Sequence, residues 1–334
     1  MNKDLYYNGG QALTYNPLFL FIIGNRGCGK TYWFRKWAIR DFIKTGRQFI
    51  YLRRYKEEMK GQNKSNFMTP LILNNEFPDH EITVKNDEIL VDGKTAGYFC
   101  SLSTAKVKKS VDYPLVDKIG FDEFIIEKSN YTYIPNEVVN LLEFYNTVDR
   151  DRDKVRLVFM SNAISIANPY FLFFNIEVSD AHRYWSFKDG AIIVDYVNNE
   201  AFKEYKRNTR FGKLIKDTSY ADYSIENKFL LDNPRAISKK TGNCSHSFNI
   251  KYNGTIYGIW RSRDTLIDYI SKDYDKTSLY NYAILPNDVG GKFKLCTRSN
   301  VFFKTIIKSY MNDNILYESL QIKAVFQEIF KKLM

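Results

Sequence analysis

Eight residues near the N-terminus limit what this chain can fold into more than any other stretch. Gly24-Asn25-Arg26-Gly27-Cys28-Gly29-Lys30-Thr31 fits the pattern GxxxxGK[ST]. An apolar run, Leu18 to Ile23, precedes it. Residues 30–44 follow, with Trp33, Trp37 and Phe42 at helical spacing. A buried strand, a glycine-rich turn and a helix in that order make a phosphate-binding loop. Its backbone N–H groups turn inward around phosphate oxygens, and the helix N-terminus adds partial positive charge. Lys30 then reaches the β- and γ-phosphates, and the Thr31 hydroxyl ligates Mg²⁺. ATP and Mg²⁺ are the ligands this predicts, cradled by Gly24, Asn25, Arg26, Gly27, Cys28, Gly29, Lys30 and Thr31, with Arg26 a further candidate for the γ-phosphate.

Hydrolysis needs acids as well. Ile119-Gly120-Phe121-Asp122-Glu123 closes a buried run. Asp122 is the expected magnesium residue, acting through water, and Glu123 the residue that polarises the attacking water. Adjacent acids on a strand face opposite ways, so this pairing requires the strand to end there and the loop to redirect one of them. A glutamate directly after the aspartate separates this class from small kinases and GTPases. The next buried run, Val155 to Met160, ends in Ser161-Asn162. Asn162 at a strand's carboxyl end faces the ligand crevice and is the candidate γ-phosphate sensor; a turn cap is the alternative. Before that run lies Asp149-Arg150-Asp151-Arg152-Asp153-Lys154. Such alternation usually marks a solvated face. In a ring ATPase, however, an arginine here can reach a neighbouring subunit's ATP, a contribution of about 10³–10⁵ in rate where such arginines are known. Arg150 is the first choice and Arg152 the second.

The 334 residues suggest about two domains at ~150 residues each. The first 200 alternate strand-like and helix-like segments, predicting an α/β domain with a parallel central sheet. Phe49 to Leu52 is a strand, Val84 to Tyr98 a hairpin turning at Asp92-Gly93, and a helix starts near Pro135 with Val138, Leu141, Leu142 and Tyr145 on one face. Lys203, Lys206, Arg207, Arg210, Lys213 and Lys216 then recur at helical spacing, a basic stripe expected to bend at Gly212. Beyond Lys228 the pattern is β-rich: strands at Ser247 to Ile250 and Thr255 to Trp260 flank Asn253-Gly254, more are expected near Leu279 to Leu285 and Gly291 to Cys296, and Phe302 to Tyr310 and Ile315 to Lys332 are amphipathic helices. The predicted organisation is an ATPase domain over 1–200, a basic linker over 201–227 and a smaller α+β domain over 228–334.

Charge is unevenly placed. The chain carries +11 overall. Residues 201–334 hold 23 Lys and Arg against 13 Asp and Glu, so +10 of the excess lies there. Such a footprint suits a polyanion, most often nucleic acid. No run approaches the ~18 apolar residues of a membrane span, and no signal peptide is evident, so an intracellular protein is expected. Cys28, Cys100, Cys244 and Cys296 form no CxxC pair and the histidines lack zinc spacing.

Several stretches together resemble the DNA-packaging ATPases of phi29-like short-tailed bacteriophages. They are Asn2 to Tyr7, the loop at Gly24 to Thr31, Gln48 to Lys56 (QFIYLRRYK), Glu76 to His80, Phe121 to Phe124, Tyr133 to Val138, Ser161 to Ala163 with Asn168 to Asn175, and Thr209 to Gly212. The likeness is dense over residues 1–215 and thinner beyond. It implies an ASCE P-loop ATPase domain followed by a vestigial RNase H-like domain without nuclease activity. It also implies a homomeric ring, of five subunits in that family, in the cytoplasm of the infected host and transiently on the portal vertex of a prohead. The ring would drive double-stranded DNA inward with ATP, and the C-terminal domain would bind portal, DNA or a structural packaging RNA. By the same resemblance Arg150 is the trans-acting arginine, Lys109 a second trans-acting basic residue, and Arg53 and Lys56 coupling residues. Absence of nuclease activity also fits the residues. Asn249, Lys251 and Asn253 stand where the first hairpin of a two-metal nuclease would carry an acid, and Asp264, Asp268, Asp273 and Asp275 look like surface charges. The alternatives are another ASCE DNA pump for plasmid or chromosome, and a module whose nucleic-acid affinity is gated by nucleotide.

Overall fold

The computed structural model describes residues 5–108, 112–126, 132–162, 168–178, 181–225, 236–297 and 299–333. Two compact units emerge: Met1–Ser165 with Pro169–Leu230, and Ile166–Asn168 with Leu231–Met334.

The first unit is built on a nine-stranded sheet. Its strands are β1 (Phe19–Gly24), β2 (Gln48–Arg53), β3 (Ile82–Lys85), β4 (Glu88–Val91), β5 (Lys94–Ser101), β6 (Val116–Asp122), β7 (Arg156–Asn162), β8 (Tyr184–Phe187) and β9 (Ile192–Val197), in the order β3-β4-β5-β2-β6-β7-β1-β9-β8. From β5 to β9 every pairing is parallel, and antiparallel hairpins close both edges. A parallel sheet must be covered on both faces. Helix α1 (Lys30–Thr45) lays Phe34, Ala38 and Ile39 on one side. Helices α2 (Glu137–Asp149) and α3 (Pro169–Phe174) cover the other, where the Phe21 and Phe159 rings stack at 4.0 Å against Phe124, Tyr170 and Phe171.

The register sets up the site. β7 lies between β1 and β6, with Gly24 opposite Asn162 and Asp122 opposite Met160. The strand of the glycine loop and the strand of the paired acids are thus separated by one strand, the order of the expected ASCE class. All three strands point their carboxyl ends the same way.

The expected strand of Val155 to Met160 runs on through Asn162, and Phe49 to Leu52 runs on to Arg53. The Asp92-Gly93 turn forms, both residues having positive φ (51° and 74°). Residues 200–224 fold into α4 (Glu200–Asn208), α5 (Arg210–Leu214) and α6 (Ser219–Ser224), and they fall within the first unit. The basic stripe breaks at Thr209 rather than Gly212: the Thr209 side chain caps α5 by accepting from Gly212 N.

The second unit carries six strands, β10 (Cys244–Tyr252), β11 (Thr255–Ser262), β12 (Asp268–Ser271), β13 (Asn281–Ala283), β14 (Lys294–Leu295) and β15 (Ile315–Tyr317), ordered β14-β13-β10-β11-β12-β15. Helices α7 (Val301–Met311) and α8 (Leu320–Leu333) pack Phe303, Ile306, Phe326, Ile329 and Phe330 with Phe248, Ile250, Ile259 and Ile270 of the sheet. Ile315 to Tyr317 was expected to begin the last helix. It is instead a short strand, because Ile315 and Tyr317 are buried in parallel pairing with β12. Asp268 was expected at the surface. It is 2% exposed, with Oδ2 lacking a hydrogen-bond partner.

Candidate active site

The loop after β1 has the backbone its glycines require. Gly27 and Gly29 take φ of 81° and 94°, a region other residues enter only with strain, and Gly29 caps α1. Lys30 is buried and folded back on the loop, its Nζ donating to Gly24 O at 3.0 Å, Asn25 O at 2.9 Å and Asn162 Oδ1 at 3.2 Å. Asn25 is fully buried. Its Nδ2 donates to Ile225 O at 2.7 Å, while Oδ1 has no protein partner.

Asp122 is the last residue of β6. Its Oδ2 accepts from Thr31 Oγ1 at 2.9 Å and from the Tyr51 hydroxyl at 2.8 Å. Burial and the Asp122 charge raise the Tyr51 pKa, so this phenol stays a donor. Thr31 and one oxygen of Asp122 therefore share a single point, the pairing a hard cation with oxygen ligands needs. The residues fit Mg²⁺.

Glu123 solves the two-face problem of adjacent acids. The strand ends at Asp122, and Glu123 turns into the left-handed region, φ 56°. Its Oε2 then lies 2.7 Å from Arg53 Nη2, and the same guanidinium stands 4.0 Å from Asp122 Oδ2 and 2.7 Å from Glu58. Both acids thus lie against one guanidinium. Burial disfavours the charge on Arg53, but Tyr51, Asp122, Glu123 and Glu58 around it outweigh that and raise its pKa.

Lys30, Thr31, Asp122, Glu123 and Asn162 are brought together, and Arg150 is not. It is the C-cap residue of α2, before β7 begins, so the seven residues of β7 (roughly 23 Å at the usual rise) separate it from the Asn162 end. Its guanidinium is 54% exposed and pairs with Asp112. Arg152 is engaged otherwise. Its guanidinium donates to the carbonyls of Tyr113, Pro114, Val116, Val148 and Asp149. Asp149 is buried and accepts from the backbone N–H of Asp153, Lys154 and Val155, each at 3.0 Å. The charged run is therefore a bonded turn in which Asp149 and Arg152 face inward while Arg150, Asp151, Asp153 and Lys154 are exposed. Lys109 lies outside the described residues.

A cavity of about 420 Å³ adjoins the loop at Arg26 and Gly27, a volume in the range of small-molecule sites. Tyr6, Phe202, Tyr205, Phe211 and Tyr220 supply aromatic walls, and the buried Ser224 Oγ has no partner. Tyr7 is occupied elsewhere, donating to the buried Asp195 at 3.0 Å and packing edge-on to Trp33. Lys206 bridges Arg26 O at 3.0 Å and Ser224 O at 2.7 Å, and burial lowers its pKa. Lys203 is buried against Glu200. These two members of the basic stripe therefore face the loop and their own helix. Tyr51 and the aromatic wall from α4 to α6 had no motif to reveal them; the one available hint was the density of aromatics in residues 202–220.

A family model described as Podovirus DNA encapsidation protein (Gp16) matches residues 1–334. The chain belongs to the podovirus DNA encapsidation family. The DNA packaging protein of Bacillus phage phi29 is 38% identical over 335 residues, covering 100% of this chain and 99% of that one. The DNA packaging protein of Bacillus phage B103 is 36% identical over 96% of this chain and 99% of its own length. A chain of the bacteriophage phi29 viral genome packaging motor assembly aligns with a TM-score of 0.80 at 38% identity, over 99% of this chain and all of the other. The N-terminal domain of the phi29 DNA packaging ATPase is 44% identical with a TM-score of 0.55, covering 59% of this chain and 99% of that one. The protein's role is packaging of phage DNA, as the resemblance in its sequence implied.

The second unit of this packaging protein shows what occupies the heart of its sheet. Asn249 on β10 and Asn281 on the parallel neighbour β13 are in register, and Asn249 Nδ2 donates to Asn281 Oδ1 at 2.9 Å. His246 Nε2 lies 2.8 Å from Asn249 Oδ1, and Asn249 Nδ2 also donates to Asp275 O. Asn281 Nδ2 in turn donates to Ser278 O at 2.6 Å, so both neutral amides are bonded. Asp264, Asp273 and Asp275 are bound to Asn243, Lys240 and Thr277 respectively. Among the described residues no group of three or more His, Cys, Asp or Glu is placed to hold a metal ion.

Proposed function

We propose that this packaging protein hydrolyses ATP between the Gly24–Thr31 loop and the ends of β6 and β7, and uses the energy to move double-stranded DNA into a preformed prohead. The observation that carries the reading is convergence: Lys30, Thr31, Asp122, Glu123 and Asn162 meet where β1, β6 and β7 end. The loop amides and Lys30 bind the phosphates. Thr31 and Asp122 would hold Mg²⁺, which neutralises phosphate charge. Glu123 accepts the proton of the attacking water, and Asn162 orients the γ-phosphate beside Lys30. The adenine enters the aromatic cavity, stacking on Tyr6. Burying a base between aromatic rings is favourable without demanding a special sequence.

Arg150 is exposed and lies at the far end of β7 from its own loop, which leaves it able to serve a neighbouring subunit in a homomeric ring, as the resemblance implies. Five subunits, a portal at the prohead vertex, a structural RNA and a contribution from Lys109 follow from the resemblance to the phi29 motor. The paired amides of Asn249 and Asn281 support a second unit without nuclease activity. DNA protection inside purified proheads, dependent on ATP and lost in Lys30→Ala, tests the main reading. Protection without ATP would overturn it. Degradation of plasmid DNA by the pure protein with Mg²⁺ or Mn²⁺ would overturn the nuclease reading.

A further inference from the structure

Arg53 and Arg54 are neighbours in sequence that both end at Glu123, by different routes. Arg53 reaches its carboxylate. Arg54, the residue directly after β2, reaches its backbone: Nη1 donates to Glu123 O at 3.0 Å and Nη2 to Phe124 O at 2.6 Å. Arg54 is 3% exposed, and its remaining donors go to Glu137, the first residue of α2, through Nε to Oε2 at 2.8 Å and Nη2 to Oε1 at 3.0 Å. Glu137 is buried too. It accepts from the Tyr170 hydroxyl at 2.5 Å and from Ile134 N at 2.8 Å. The Arg54 guanidinium also lies over the rings of Tyr133 and Phe121, at 5.0 and 5.6 Å.

We infer that the Arg54–Glu137 pair is a positioning device for Glu123, fixing the left-handed backbone turn that aims its carboxylate into the phosphate crevice. The inference rests on the reading of Glu123 as the group that activates water. A non-glycine residue held at φ 56° persists only where its surroundings over-determine it. The carbonyls of Glu123 and Phe124 lead the chain out of that turn, and Arg54 clamps both. Arginine suits the task because its planar fork addresses a carboxylate and two carbonyls at once. A lysine carries the charge without the fork. The pair also anchors α2, so the turn is fixed relative to a packed helix and not to a loop. Burial of an ion pair is weak ground for stability but good ground for a fixed geometry when its groups are hydrogen-bonded, and Nε, Nη1 and Nη2 of Arg54 all donate.

The test uses full-length protein, with steady-state ATP turnover and binding of a fluorescent ATP analogue measured side by side. Arg54→Lys is expected to lower kcat by roughly 30- to 100-fold, since misplacing a reacting group by about 1 Å costs that order. Analogue affinity should stay within about two-fold, because the loop and Thr31 are untouched. Glu137→Gln should shift the same parameter in the same direction. In single-turnover measurements, Arg54→Lys combined with Glu123→Gln should be no slower than Glu123→Gln alone, as groups acting as one unit are non-additive. Normal kcat in an Arg54→Lys protein that binds the analogue, or a full further loss in the double variant, would overturn the inference. Should Arg54→Lys fail to bind the analogue, Tyr170→Phe removes one donor to Glu137 and leaves the fork. A several-fold loss of kcat at unchanged affinity then supports the inference, and unchanged kcat overturns it. Glu123→Gln measured alone separates the two readings. If it turns over normally, the assignment of the base fails. If it is inactive while Arg54→Lys is normal, only the positioning role fails.

Discussion

Arg53 Nη2 and Glu123 Oε2 stand 2.7 Å apart beside the end of β6. The carboxylate proposed to activate water is thus held by a cation that also touches Glu58 and lies near Asp122. Replacing Glu123 by glutamine leaves Arg53 two acidic partners, so no buried charge is stranded and the fold should persist. General-base catalysis is lost. ATP turnover is expected to fall by about 10²–10⁴ while ATP binding is retained. Filter binding and phosphate release on the same preparation check this. Undiminished phosphate release would remove Glu123 from the mechanism and favour a nucleotide-gated binding module.

Arg150 and Arg152 should separate cleanly. Arg152 donates to five carbonyls of its own chain, and its truncation strands several of them. Arg152→Ala is expected to cost about 2–4 kcal/mol of stability, seen as a lowered denaturation midpoint. Arg150→Ala removes only an exposed pair with Asp112 and should leave the midpoint unchanged. Its effect appears in turnover by the assembled protein. Arg150→Ala and Lys30→Ala subunits, each inactive alone, should recover activity when mixed if the arginine works on a neighbour. No recovery at any mixing ratio, with assembly confirmed, would overturn the trans role of Arg150.

The aromatic cavity makes a prediction about which part of the nucleotide is lost. Tyr6 lines it beside Phe202, ring centroids 6.0 Å apart, whereas Tyr7 is held by Asp195. Stacking of a base on an aromatic ring contributes about 1–3 kcal/mol. Tyr6→Ala should therefore weaken ATP binding by roughly ten-fold and leave inorganic triphosphate binding unchanged, as calorimetry with both ligands would show. Equal losses for both ligands would mean that Tyr6 supports the loop instead of the base.

Much of this was legible in the sequence where one local rule decided the structure. Asp92-Gly93 and Asn253-Gly254 form the hairpins their positive φ values allow. Lys30, Thr31, Asp122 and Asn162 were legible because each sits at the junction of an apolar run and a turn, and parallel strands align such junctions at one edge. Where tertiary partners decided, the sequence was mute. The apolar strand Ile192–Val197 carries the buried Asp195, whose charge Arg183 balances and whose other oxygen the Tyr7 hydroxyl bonds. Arg54 and Glu137 lie 83 positions apart, and nothing local announces their contact. The basic stripe has the right period for one helix, but Thr209 caps a new helix and turns it.

Asp268 gives a test by pH. Burial raises its pKa, opposed by the Ser309 hydroxyl and the charge of Arg261, and Oδ2 has no partner. The folded state therefore binds this proton more tightly than the unfolded chain, whose carboxyl titrates near the ordinary 3.8. Between those two values the native form carries more protons, so stability falls as pH rises through the window and stays reduced above it. Asp268→Asn removes the buried charge and keeps an oxygen for Ser309. It is expected to stabilise the protein by about 1 kcal/mol at neutral pH, with the gain shrinking as pH falls toward the ordinary carboxylate range. Urea unfolding of both proteins at several pH values reads this directly. A variant less stable than wild type at neutral pH would mean that the charge of Asp268 is compensated by Arg261 more fully than its unpartnered oxygen suggests.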